Sequence, residues 1–348
     1  MKQRYRAVQI TRPGVLELVE RETPAPEPGE VLIRVEACGI CGADAGAIEG
    51  EERGIVYPRV PGHEVVGRIA ALGAGTPSMW TPGQRVGVGR LGGHCGECSE
   101  CRQGLFHLCM KQPVTGSSRD GGYAEMMLAR SSGLVAIPAE LSPVEAAPLL
   151  CAGIATFNAL KKSGAQAGDL VAIQGIGGLG HLALQYARRM GFHVVAVGRG
   201  SDIADDVVRL GAHVYVDSNV DQPSAVLQRM GGARLILTTI TDSAAASRLL
   251  PGLAPQGKLL VVGAGKDPLA VSPGFIVRGE RLIQGAVTGT PYEAERTLAF
   301  SVLADVRPRI ETMPLARARE ACERVRSGDV KFRMVLTMDD AAVARGAA

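Results

Sequence analysis

The segment "DLVAIQGIGGLGHLALQYARRMG", residues 169–191, restricts the possible folds more than any other stretch of this chain. A β-branched apolar run meets glycines at 175, 177 and 180, and these open a segment with helical spacing of apolar residues. Strand, glycine turn and helix in that order form the G-x-G-x-x-G fingerprint of a dinucleotide site. Gly175 allows the tight turn, Gly177 lets backbone approach a pyrophosphate, and Gly180 lets helix pack on strand, with Gly178 and Leu179 completing the turn. The helix N-terminus adds partial positive charge for the phosphates. Downstream, "HVVAVG", "HVYVD", "RLILTTI" and "GKLLVVGA" read as strands alternating with helices around "DDVVRLG", "AVLQRMGG" and "AAASRLLPGLA". That alternation predicts a doubly wound parallel sheet.

The tip of the second strand selects between the two nicotinamide dinucleotides. A carboxylate there would bind the ribose hydroxyls of NAD, but the chain carries Gly198, Arg199, Gly200 and Ser201. Arg199 and Ser201 suit a 2′-phosphate, so NADP is expected in preference to NAD. Asp202 falls slightly late for the ribose and is expected to cap the next helix.

The first third has a different texture. "EVLIRVEACGI", "EVVGRIAAL" and "QRVGVGRLG" read as short strands set off by "APEPGE" and "TPGQ", with little helical periodicity. At 348 residues the chain has room for two domains, and 46% hydrophobic with 21% charged residues is the balance of a globular protein. A net charge of +3 without a basic block argues against nucleic acid as a partner. The start, "MKQRYRAVQI", has no apolar signal core, and no run reads as membrane-spanning, so a cytoplasmic protein without membrane contact is expected. Toward the end, "AERTLAFSVLA" and "LARAREACERVRSG" read as helices, "KFRMVLTM" as a strand and "DDAAVARGAA" as a loose tail.

Eight cysteines in a reducing compartment are better suited to metal binding or burial than to disulfides. Cys95, Cys98, Cys101 and Cys109 lie in "HCGECSECRQGLFHLC", spaced C-x2-C-x2-C-x7-C. Four thiolates brought together by turns suit tetrahedral zinc in a closed, structural site. An iron–sulfur cluster is the competing reading, weakened because the proline that usually follows the last cysteine is absent. His94 and His107 flank a tetrahedron that is already filled. Cys38 and Cys322 are read as buried thiols.

In combination, "GHEVVG" at 62–67, the cysteine knuckle, "LLCAGIATFNAL" at 149–160 and the glycine turn resemble the zinc-dependent alcohol dehydrogenases of the medium-chain dehydrogenase/reductase family. The resemblance runs from "PEPGEVLIRVEACGICGAD" to "GDVKFRMVLTM". It implies an α/β protein of two domains. A mostly β, barrel-like (GroES-like) catalytic domain would comprise 1–152 and 290–348, and a doubly wound Rossmann domain 153–289. It also implies that Cys41, His63 and Cys151 bind a catalytic zinc beside Glu64, that Asp44 orients the zinc histidine, and that Arg333, counted with the cofactor-binding residues, is the basic partner of Asp44. Two zinc ions per chain and a homo-oligomer, dimer or tetramer, are further implications. Two thiolates and one imidazole are in keeping with a three-ligand zinc that keeps one position open. A nearby carboxylate such as Asp44 would hold the other histidine nitrogen.

The resemblance breaks at the proton path. The family usually has Ser or Thr two residues after the first zinc cysteine and often His five after; here those positions are Ala43 and Gly46, which move no protons. The threonine usual four residues after the second zinc cysteine is Ala155, with Thr156 shifted by one. Three functions therefore stay open. The first is hydride transfer between NAD(P)H and an alcohol, aldehyde or ketone whose oxygen binds zinc, with another proton route. The second is reduction of conjugated C=C or C=N bonds, where no alkoxide needs protonating. The third is a non-catalytic cofactor-binding protein, against which the ligand set Cys41, His63 and Cys151 argues.

Overall fold

The computed structural model describes residues 3–263 and 265–338; the segment 339–348, read as a tail, lies outside the described residues. The chain divides into two compact units, one running up to Cys151 and resuming at Gly289, the other Ala152–Thr288.

In the first unit the strand Glu30–Ile40 is the spine. It pairs antiparallel with Glu64–Leu72, Met126–Arg130 and Arg333–Thr337. Arg85–Val88, Leu134–Ala136 and Ile310–Pro314 extend the sheet to seven strands. The apolar residues of the spine explain its position: Val31, Leu32, Ile33 and Val35 are buried and pack with Ile69, Tyr123, Met334 and Leu336 in one core. Register fixes the chemistry that follows. Gly39 lies opposite Glu64 on one side and Val335 on the other, so the residues after Ile40, those before Glu64 and Arg333 converge at one end of the sheet. A hairpin, Arg4–Arg12 with Val15–Glu22, was not anticipated from the sequence; Gly14 turns it at φ +78°.

The second unit holds a six-stranded parallel sheet in the order Val214–Asp217, His193–Gly198, Leu170–Gln174, Ala233–Thr238, Leu253–Val261, Leu282–Gly285. Its inner strands are buried on both faces, which is why they read as unbroken apolar runs. Strand order reverses between Leu170–Gln174 and Ala233–Thr238, the place where open α/β sheets bind ligands. The helix after His193–Gly198 is Ala204–Arg209, and Ile203 stands at its cap position with no side-chain bond. The capping expected of Asp202 is therefore not made, because the helix starts two residues beyond it.

The expectation that no run approaches membrane-spanning length also fails. A continuous helical stretch, Pro143–Lys161, is long and apolar enough by length and composition to cross a membrane. Ser142 and Glu145 start it with a reciprocal capping box, and a π-helical turn, Leu149–Gly153, carries it into Ile154–Lys161. Because 78% of the stretch is buried inside the fold, it is a core helix.

Candidate active site

Cys41 follows the spine strand, His63 immediately precedes Glu64–Leu72, and Cys151 sits in the π-helical turn. One ligand atom each from Cys41, His63, Glu64 and Cys151 lies within 4.8 Å of the others. Two local features let the chain reach this arrangement. Gly62 adopts φ +97°, and a Cβ there would press on the Tyr123 ring at 2.3 Å. Gly39 leaves room for the buried Glu64 carboxyl, since a Cβ would lie 1.9 Å from its Oε2. A π turn places an extra residue in one helical turn, a deviation found often at functional sites. Thr156 Oγ1 closes its far end by donating to the carbonyls of Ala152 at 2.7 Å and Gly153 at 3.1 Å.

Asp44 organises the cluster. Its Oδ1 lies 2.7 Å from His63 Nδ1, while Oδ2 accepts from the Cys41 amide at 3.0 Å and from the Tyr123 hydroxyl at 3.0 Å. With Nδ1 held by the carboxylate, His63 presents Nε2, which is buried and has no hydrogen-bond partner among the described residues. The sulfurs of Cys41 and Cys151 stand 3.9 Å apart. Two sulfurs about 2.3 Å from one tetrahedral zinc lie about 3.8 Å apart along an edge, so the pair is spaced for such an ion. The hydrogen bond from Cys151, with His63 adding to it, holds the Cys41 thiol well below its ordinary pKa despite burial. That same bond, and burial, push Cys151 well up. Burial would lower His63, but Asp44 and then Cys41 pull it well above its usual value. Two thiols and two carboxyls gathered out of water call for positive charge, and an orphaned imidazole nitrogen calls for a ligand. A divalent cation held by Cys41, His63 and Cys151 meets both needs.

Arg333 departs from its expected role. Its guanidinium pairs with Glu64, and Asp44 is instead bound by His63, Cys41 and Tyr123. The reason is register: Arg333 begins a strand alongside the spine, whose Gly39 faces Glu64. Burial raises the Glu64 pKa to about 7 even against the pull of Arg333. Glu64 Oε2 has no hydrogen-bond partner among the described residues, which leaves it available to the same cluster.

Ligand atoms of Cys95, Cys98, Cys101 and Cys109 form a second group within 4.8 Å of one another. The spacings 3.6 Å (Cys95–Cys109), 3.9 Å (Cys98–Cys109) and 4.0 Å (Cys95–Cys101) straddle the same tetrahedral edge. Backbone N–H groups of Glu97 and Cys98 lower the Cys95 thiol to about 6, favouring the thiolate that a metal binds. His94 stacks on Phe106 with ring centroids 4.3 Å apart. All eight cysteines are free, and Cys38 is buried in the spine strand.

In the second unit, Gly175 turns at φ +89° with its Cα hydrogen toward Ile240, where a Cβ would lie 2.4 Å from Cγ2. A Cβ on Gly180 would be 1.9 Å from the Gly175 carbonyl, whereas one on Gly177 would meet nothing within 4 Å. Packing thus requires glycine at 175 and 180, and Gly177 leaves an open approach for a ligand. Leu179, ahead of the helix Gly180–Arg189, provides no side-chain cap, and the His181 and Leu182 N–H groups donate to the Gly177 and Leu179 carbonyls at 3.1 Å each. Arg199 and Ser201 are exposed just past the second strand. At Gly198 a Cβ would come 2.9 Å from the Tyr215 hydroxyl, which donates to the Gly200 carbonyl at 2.6 Å, so a side chain there would have to displace Tyr215. A cavity of about 590 Å³ opens at the ends of the fourth to sixth strands of the sheet, among Thr238, Ile240, Val262 and Val287. The sequence reading missed it; the signal available was "TTI" closing the strand after the point of reversal.

Comparison with known proteins decides what this pair of metal-ready clusters and a dinucleotide turn belong to. Residues 27–139 match the alcohol dehydrogenase GroES-like domain, and residues 178–303 match the zinc-binding dehydrogenase family. Alcohol dehydrogenase notN of Aspergillus sp. (strain MF297-2) is 41% identical over 90% of this chain and 92% of its own length. The chain belongs to the zinc-dependent alcohol dehydrogenases of the medium-chain dehydrogenase/reductase family. An alcohol dehydrogenase of Geobacillus stearothermophilus is 38% identical over 93% of the chain and 96% of its own. The crystal structure of AibC superposes with a TM-score of 0.89 at 31% identity, covering 96% of each chain. This enzyme is accordingly an oxidoreductase with a GroES-like and a Rossmann-type domain, using zinc and a nicotinamide dinucleotide.

Proposed function

We propose that this oxidoreductase transfers hydride between NADP(H) and a small alcohol or its aldehyde or ketone. The observation that carries the reading is the buried set Cys41, His63 and Cys151, whose imidazole Nε2 has no hydrogen-bond partner among the described residues. A zinc ion in that set supplies a Lewis acid that acidifies an alcohol or polarises a carbonyl. Asp44 fixes the His63 ring and its tautomer, and Tyr123 fixes Asp44 in turn. Arg333 offsets the charge of Glu64, so that a buried carboxyl can persist beside two thiols. A second zinc, held by Cys95, Cys98, Cys101 and Cys109, has all its ligands from the chain and serves the fold alone.

The glycines at 175, 177 and 180, with the partial positive charge of the helix that begins at Gly180, bind the pyrophosphate. Gly198 carries no acid at the strand tip, which supports NADP over NAD, with Arg199 and Ser201 on the 2′-phosphate. The apolar cavity beside Ile240, Val262 and Val287 suits the nicotinamide half. A homo-oligomer fits the exposed Leu282 on the edge strand Leu282–Gly285 and the exposed Val277 on the helix Pro273–Gly279 before it.

Ala43 is exposed and Gly46 half-buried, and neither has a side chain that moves protons. This favours, as the second reading, reduction of a conjugated C=C or C=N bond. A zinc-replete screen with NADPH and NADH, pairing saturated aldehydes with conjugated enals and identifying products, tests the proposal. Saturated aldehydes converted to alcohols support it; enals reduced only at C=C overturn it in favour of the second reading.

A further inference from the structure

Removing a hydride from an alcohol carbon also releases the hydroxyl proton, and that proton needs an acceptor. The carboxyl groups around the short helix Asp44–Ile48 are mostly engaged. Asp44 is bound through both oxygens, Glu64 faces Arg333, and Glu49 accepts from Arg326 at 3.0 Å. Glu52 differs. Its amide donates to the Gly46 carbonyl at 3.0 Å, fixing residue 52 against that helix. Its Oε1 accepts from Ser117 Oγ at 2.6 Å and lies 3.5 Å from Arg90 Nη2. Its Oε2 takes no hydrogen bond from the described residues and lies 3.9 Å from where a Cβ on Gly46 would stand. The side chain is 25% exposed. One oxygen is therefore anchored, and the other looks over the bare face left by Gly46 with an outlet to water.

We propose that Glu52 is the proton acceptor for alcohol oxidation in this enzyme and the proton donor for the reverse reaction. The alcohol O–H bond breaks, and a bridging water takes that proton and passes one of its own to Glu52. The hydride leaves with its electron pair to the nicotinamide, and Glu52 then loses its proton to bulk water. The groups facing the carboxylate are the Arg90 guanidinium, the Ser117 hydroxyl and the Gly46 backbone. This inference rests on the hydride-transfer reading given above.

The test is Glu52→Gln, which keeps an oxygen for Ser117 but accepts no proton, measured beside the zinc-loaded wild type on simple alcohols. The expected result is a fall in kcat of about 100-fold, the low end of what general acid–base assistance gives. The acidic limb of the wild-type pH–rate profile disappears, added imidazole restores part of the rate, and zinc content and melting temperature stay unchanged. Ser117→Ala, which removes only the anchor, should cost less than about tenfold and keep the pH limb. Wild type inactive on every simple alcohol would overturn the hydride-transfer reading and this inference with it. Active wild type with an unchanged Glu52→Gln pH profile would overturn this inference alone, as would a loss accompanied by lost zinc and not relieved by imidazole.

Discussion

At Asp44 one carboxylate answers three donors from three parts of the chain: His63 Nδ1, the Cys41 amide and the Tyr123 hydroxyl. Asp44→Asn keeps the shape but turns one acceptor into a donor, so the imidazole loses its fixed orientation. Zinc affinity at the Cys41 site should fall about 10–100-fold, as competition with a chromophoric chelator would register. An unchanged affinity would contradict the role given to Asp44. Tyr123→Phe removes the hydroxyl that donates to Asp44 and accepts from Cys322 Sγ at 3.9 Å, with little change in volume, and should lower unfolding free energy by about 1–3 kcal/mol in a denaturant titration. At the cofactor, loss of one charge-assisted contact in Arg199→Ala should raise KM for NADPH about tenfold and leave that for NADH within about twofold. Equal effects on both coenzymes would remove Arg199 from the 2′-phosphate.

The two cysteine groups differ at the scale of elements. The knuckle has little else to hold it: a short helix, Ser99–Arg102, and turns around it, with Leu105, Leu108 and Met110 exposed. On the proposed reading its order depends on the metal, so Cys95→Ser should lower the melting temperature by several degrees, at about 1–2 °C for each kcal/mol in a chain of this size. Cys41 instead follows a strand locked on both sides by β-pairing. Cys41→Ser should abolish turnover while shifting melting far less, and equal shifts by calorimetry would undo the division into structural and catalytic metals. The strands Glu30–Ile40 and Glu64–Leu72 were legible in the sequence because β-branched runs and glycine punctuation mark them. Five of the six parallel strands were legible for the same reason, while the short, mostly exposed edge strand Leu282–Gly285 was not. The π-helical turn at Cys151 was not, since it is a local departure from the helical period with no residue type of its own.

For the whole molecule, what could be read was whatever lies close in sequence: the knuckle, the glycine turn, the residues flanking Cys41. What could not be read depends on register between distant strands. Arg333 and Glu64 are 269 positions apart and meet only because their strands flank the same spine. The Asp44 partner expected of Arg333 failed for that reason. The cavity at the end of the parallel sheet is likewise assembled from several strand ends, none distinctive alone. The buried helical stretch Pro143–Lys161 gives the same lesson, because its apolar length is explained only by what surrounds it. The central claim is that one chain carries an open, catalytic zinc site and a closed, structural one. The most direct test is zinc per chain, by elemental analysis, beside turnover in wild type and Cys151→Ser. The account predicts two zinc ions in the wild type and one in a folded, inactive variant. A variant that keeps two zinc ions and its turnover would contradict it.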